Sequence, residues 1–339
     1  MRAKFLRAML VFLSCFVLLS LPACGSSLST TGDNLINVRF SEVIHSIFYA
    51  PHYVAMGKGF FKGEGLHVDM VTSQGSDKGA AALLAGTADI SLIGPETSVF
   101  VHNERGEKTL KVFYQLTGTD GTVLMSRKKE TNFKWEDLEG KTIIGWRSGS
   151  APNSVLKSVL NKNGVKNVTV IDNISAQAMV GAFESGKGDY IQVYEPIAST
   201  LEKAGRAFTV DSLSWEIGAF PETSYEATSD FIDANPDVIQ KWSNAVYKAT
   251  QWMNTHSAEE IATVLEPYFK ETPRDIIVKS VDRYKHLKVW PESPVPTYEQ
   301  LKILQDVLVE NGLIKEGQRV RYDSVIERSF AEKAVKGGK

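Results

Sequence analysis

Apolar and polar positions along this chain fall into two rhythms that take turns. Short apolar runs at residues 36–40, 66–71, 90–93 and 110–116 have the length and composition of strands. Between them, 51–57, 77–85 and 96–103 carry helical spacing. The pattern then restarts, with strands at 142–145, 168–171, 190–193 and 207–210 and helices at 152–163, 176–185 and 196–204. Strand–helix alternation of this kind predicts parallel βαβ units. The last third is helical instead, over 235–255, 258–268 and 298–311, entered through Ser229 or Asp233, Ser257 and Thr297. That stretch is expected to pack back on the first series.

The two series echo each other. Gly86-Thr87-Ala88-Asp89 closes the second helix of the first, and Gly186-Lys187-Gly188-Asp189 closes its counterpart. Each leads into a strand followed by a proline and a glutamate, Gly94-Pro95-Glu96 in one and Tyr194-Glu195-Pro196 in the other. Glycine suits the left-handed end of a helix, and aspartate opens the turn into a strand. The fold class is therefore α/β with two lobes, each a sheet flanked by helices, and C-terminal helices. The expected boundaries are 35–120 plus 222–330 for lobe 1, 121–221 for lobe 2 and a tail at 331–339. The chain then crosses between lobes near 119–123 and near 214–225, and two crossings make a hinge.

The N-terminal end adds a different signal. Arg2, Lys4 and Arg7 precede an apolar stretch from 8 to 21 that is short for a membrane span, the layout of an export signal over 1–23. Leu21-Pro22-Ala23-Cys24 resembles a bacterial lipobox, which implies lipidation of Cys24. Residues 24–34 then read as a polar tether; ten such residues reach about 15–20 Å as a coil. Cys15 and Cys24 are the two cysteines, so the expected mature chain has no disulfide, thiolate metal site or cysteine nucleophile. With 38 basic and 40 acidic residues there is no basic excess for nucleic acid. Loss of Arg2, Lys4 and Arg7 takes the formal charge from −2 to −5.

The segment 49–66, Tyr-Ala-Pro-His-Tyr-Val-Ala-Met-Gly-Lys-Gly-Phe-Phe-Lys-Gly-Glu-Gly-Leu, resembles the N-terminal signature of one class of ABC-transporter solute-binding proteins. That class serves importers of nitrate, sulfonates, taurine and thiamine-pyrimidine precursors. Ala-Leu-Leu-Ala-Gly-Thr-Ala-Asp at 82–89 is similar to its next block. Leu-Glu-Gly-Lys-Thr-Ile-Ile-Gly at 138–145 with Gly149-Ser150, and Tyr194-Glu195-Pro196, are similar to its second lobe. The resemblance covers about 36 to 311. It implies a two-lobed periplasmic-binding-protein-like fold and a lipid-anchored monomer on the extracytoplasmic face. It further implies permease and ATPase partners, no catalysis and no cofactor.

In open α/β sheets ligands sit at the carboxyl ends of strands, beside helix starts. The candidates there are Phe48, Tyr49, Gln74, Ser76, Gly94, Glu96, Thr97, Thr117, Trp146, Gly149, Ser150, Ala151, Tyr194 and Glu195. Phe48, Tyr49, Trp146 and Tyr194 can stack on a flat ligand or simply pack the lobe edge. Glu96 and Glu195 can accept from an amine or ring N–H, or stabilise a helix start. Arg147 reads as solvated, and Trp242 and Trp252 as core. If both glutamates face the cleft, the ligand is a nitrogen-rich aromatic solute such as a thiamine-type pyrimidine; the alternative is a sulfonate, taurine or nitrate. The six histidines show no HExxH and no ligand-spaced cluster. Fungal pyrimidine-synthesis enzymes of the same superfamily carry a cysteine-rich motif absent here. A surface sensor is a third reading.

Overall fold

Ten strands form two sheets in the computed structural model, which describes residues 28–31 and 34–338. Segment 1–23, Cys24 and part of the tether lie outside these residues. The first sheet holds β1 (Ile36–Glu42), β2 (Leu66–Thr72), β3 (Ile90–Ile93), β4 (Leu110–Gln115) and β10 (Ser224–Thr228), in the order β2-β1-β3-β10-β4. The second holds β5 (Val123–Ser126), β6 (Thr142–Ile144), β7 (Thr169–Ile171), β8 (Tyr190–Val193) and β9 (Phe208–Ser212), in the order β7-β6-β8-β5-β9. In each sheet the first three strands named in this order are parallel. The fourth is antiparallel to both neighbours, and it is the strand the chain forms on entering that lobe: β5 or β10.

These two entering strands are absent from the sequence-based pattern. Val-Leu-Met-Ser of β5 is buried on both faces, so it shows no alternation. Strand β10 reads Ser-Tyr-Glu-Ala-Thr, with a carboxylate at its centre. Glu226 is nonetheless buried, because Ser98 donates to it at 2.6 Å and Thr97 at 3.1 Å. Tertiary hydrogen bonds make a polar central strand tolerable.

The helices between strands lie within two residues of their expected ends. The C-terminal region differs in three respects. Pro236–Thr255 packs on the first lobe, where Trp242 is fully buried with Phe40, His52 and Phe61. Tyr298–Glu310 packs on both lobes: Leu301, Leu304 and Leu308 share one core with Val99 and Val112 of the first lobe and with Val155 and Val159 of Ala151–Lys162 in the second. Glu310 accepts from Ser158 at 2.8 Å, and the Asn311 amide donates to the Ser154 carbonyl at 3.2 Å. An additional helix, Arg274–His286, buries Ile276, Ile277, Val281 and Tyr284 and contacts Ile197–Lys203 of the second lobe. Where a tail is expected at 331–339, Ser329–Gly337 is a helix whose Phe330, Ala331 and Ala334 are buried in the first-lobe core.

Candidate functional site

The carboxyl ends of the parallel strands in both sheets face a cavity of about 300 Å³. Three helices start at its wall: Ser76–Leu84, Ala151–Lys162 and Ala176–Glu184. None has a side-chain cap. Gly75 has no side chain to offer, and Ser150 turns its hydroxyl to donate to the Arg147 carbonyl at 2.6 Å. Three helices remote from the cavity do have caps: Ser257 with Glu260 and Thr297 with Gln300 form capping boxes, and Thr228 accepts from the Phe231 N–H; Pro236–Thr255 and Arg274–His286 have none. The starts at the cavity bring first-turn backbone N–H groups and the positive end of the helix dipole to its wall. Lys78 and Arg147 also line it. So does Trp146, whose indole N–H is buried without a partner.

The opposite charge is represented once, by Glu222, in the second crossing. Its carboxyl accepts the Gly121 N–H at 2.8 Å and the Tyr194 hydroxyl. Burial, and then the neighbouring Asp120 carboxyl, push it well above the usual carboxylate range. Burial likewise pushes Asp120 up to about 7, against the hydroxyl and N–H of Thr122. Lys78 and the three helix starts are the positive contributions at the cavity wall. Aromatic surface comes from Tyr49, Trp146 and Tyr194, with the last two rings 5.0 Å apart and near-perpendicular.

Of the residues singled out in the sequence, Tyr49, Gln74, Ser76, Gly94, Trp146, Ser150, Ala151 and Tyr194 line this cavity. Glu96, Thr97 and Gly149 line a neighbouring groove of about 510 Å³. Phe48 and Thr117 do not reach either space. Phe48 is fully buried against Tyr194 and Tyr284 and lies so close to Gly121 that a Cβ there would be 2.3 Å from its ring. Thr117 is buried in the first crossing, where its hydroxyl accepts from the Thr223 N–H at 2.9 Å.

Glu195 points away from the cleft. Its carboxylate accepts from the Ser199 N–H at 3.0 Å, the Ser199 hydroxyl at 2.8 Å and the Ser280 hydroxyl at 3.2 Å, and pairs with Arg283 at 2.7 Å. It ties the second lobe to helix Arg274–His286. Arg147, read as solvated, instead pairs with Asp77 of the first lobe at 2.5 Å. Gln177 donates to Gln74 across the same gap. Gly75 makes room for the ion pair, since a Cβ there would sit 2.5 Å from Asp77 and 2.6 Å from Arg147. Sequence reasoning passed over Glu222, whose one signal is its place in a crossing segment. Among the described residues no His, Cys, Asp and Glu group is arranged to hold a metal. No described helix is long and apolar enough to cross a membrane.

Known proteins resemble this chain in sequence or in fold. "Putative binding protein YtlA" of Bacillus subtilis is 38% identical over 325 residues, covering 95% of each chain. The ligand-binding component of an ABC-type import system from Staphylococcus aureus, solved with zinc bound, superposes with a TM-score of 0.73 at 16% identity, over 88% of this chain and 98% of that one. The alkanesulfonate-binding protein SsuA of Xanthomonas axonopodis, bound to MOPS, gives 0.71 at 15% identity, over 86% and 98%. The NMT1/THI5 like family model matches residues 47–260. This chain belongs to the NMT1/THI5-like family and has the two-lobed fold of periplasmic binding proteins.

Proposed function

We propose that the protein is the solute-binding component of an ABC importer and that its solute is a small organic anion. The observation that carries the ligand class is the convergence of three uncapped helix starts on one cavity. Backbone N–H groups at helix starts bind carboxylate, sulfonate or phosphate oxygens without needing a countercharge. The Trp146 indole N–H adds a further donor, and Lys78 adds charge. The names of the similar proteins, a putative binding protein and an alkanesulfonate-binding protein, support this reading. No bond chemistry is required; solute favouring a closed arrangement of the lobes shifts the population towards it.

The lean towards a nitrogen-rich heterocycle rested on Glu96 and Glu195, and neither lines the main cavity. Glu222 with Tyr194 and Trp146 favours it as a second reading, because a carboxyl beside aromatic walls suits a ring N–H. Calorimetry with alkanesulfonates, taurine, nitrate and aminopyrimidines separates the two. The expected outcome is binding of the organic anions, with compaction in small-angle scattering. Tight aminopyrimidine binding that disappears in Glu222→Gln, without anion binding, would reverse the order. We also propose that Cys24 carries a lipid anchor, on the strength of its lipobox-like flanks. Intact mass of protein extracted from membranes tests it, and a mature mass without acyl chains removes it.

A further inference from the structure

The groove beside the main cavity shares three of its walls, Ser76, Arg147 and Ser150. The partition between the two spaces is the Arg147–Asp77 pair, both of whose side chains are half-exposed. An ion pair so open to water holds its two residues only weakly, so the partition can part. Beyond it the groove has an apolar stretch at Leu84, Phe100 and Val101 and two buried polar residues, Thr97, whose hydroxyl donates to the Gly94 carbonyl at 2.8 Å, and Glu96. Glu96 is 2% exposed, yet its Oε2 has no hydrogen-bond partner. The position is specifically accommodated: a Cβ on Gly94 would lie 2.1–2.5 Å from the carboxyl group. Buried acceptors are normally satisfied, and an unpartnered one in a groove is a place for a donor.

We propose that this groove is a second subsite, which takes an arm of the solute with an apolar stem and an N–H or O–H group at its end. The inference rests on the organic-anion reading, because it places the anionic head at the helix starts on the other side of the partition. Ser76 and Ser150 stand at two of those starts, so head and arm diverge from the same point.

The test is calorimetry with ethanesulfonate, decanesulfonate and their ω-amino counterparts, on the wild type, Ala81→Trp and Glu96→Gln. Ala81 is exposed on the groove wall, so tryptophan there fills the groove with little risk to folding. Decanesulfonate is expected to bind the wild type more tightly than ethanesulfonate. In Ala81→Trp it loses about tenfold or more in affinity, roughly 1.4 kcal/mol, while ethanesulfonate stays within about twofold. Glu96→Gln weakens the long ω-amino compound by a similar factor and leaves decanesulfonate within about twofold. Equal losses for short and long compounds in Ala81→Trp, or the same chain-length trend in both proteins, overturn the subsite. If the short sulfonates fail to bind the wild type, the anion reading falls and takes the inference with it. Short-compound binding without any preference for the longer chain overturns the subsite alone.

Discussion

At the amino edge of their sheets the two lobes do the same thing with the same residue. In the first, the Arg39 N–H donates to Asp89 Oδ2 at 2.9 Å and the Asp89 N–H donates to the Arg39 carbonyl at 2.8 Å. In the second, the Thr142 N–H donates to Asp189 Oδ2 at 2.9 Å and the Asp189 N–H to the Thr142 carbonyl at 2.7 Å. One strand later, at the carboxyl edge, the lobes part company. Glu96 in the first is buried with a free oxygen beside a groove, whereas every oxygen of Glu195 in the second is occupied. The edge that starts a strand repeats because it serves only the fold. The edge that ends a strand diverges because ligands meet the sheet there.

Two experiments probe that contrast. The larger effect is expected from Arg283→Met, which strands Glu195 as a buried charge without its counterion. Breaking a buried pair in this way costs about 3–5 kcal/mol, measurable by urea denaturation. Glu195→Gln in the same chain should recover much of the loss. A single variant within about 1 kcal/mol of the wild type would mean that Glu195 is not held as described.

The smaller effect concerns pH. Burial pushes Glu96 up to about 7 from an ordinary 4.5, although its own N–H and that of Ala151 act the other way. Between those values the folded chain holds a proton that the unfolded chain has released. This contribution to stability is therefore full below about 4.5 and is lost as pH rises through 7. Glu202 in the second lobe has the opposite sign. Burial works upward on it, but Lys279, Thr209 and Arg283 bring it down to about 2. Its contribution is present above about 4.5 and is lost as pH falls towards 2. Urea midpoints at acidic and at slightly alkaline pH should converge in Glu96→Gln by about 1–3 kcal/mol relative to the wild type. Part of the slope will remain, because burial also raises Asp120, Glu222 and Glu226. An unchanged slope in the variant would assign it to the other shifted groups and not to Glu96.

Much of this molecule is legible from the order of its residues. Strands such as β1 and β3 and helices such as Glu96–Asn103 follow from apolar runs and spacing that their own segment supplies. Tyr49, Ser76, Trp146, Ser150 and Tyr194 could be placed at the cavity wall because a strand's carboxyl end is a local feature. The direction of a side chain is not local. Glu195 turns from the cleft because Ser280 and Arg283, far along the chain, complete its shell. Glu222 reaches the cavity because Tyr194 and Gly121 hold it there from the other lobe and the other crossing. Helix Tyr298–Glu310 shows the same limit at a larger scale. Its spacing marks the apolar face, and only the tertiary structure shows that this face meets the second lobe as well as the first.

The position of β10 has a consequence for how the chain assembles. It sits between β3 and β4, pairing Tyr225 with Leu92 on one side and with Tyr114 on the other. Until that strand arrives, the first sheet is two fragments with a vacant lane between them, and the whole second lobe separates those fragments from the strand that joins them. Such distant pairing is slow, since a long loop must close before any contact rewards it. The second lobe has all five of its strands in one continuous stretch, from Val123 to Ser212, and meets no such delay. The second sheet can therefore form by local pairing, whereas the first is joined only by a strand that the insertion itself delivers.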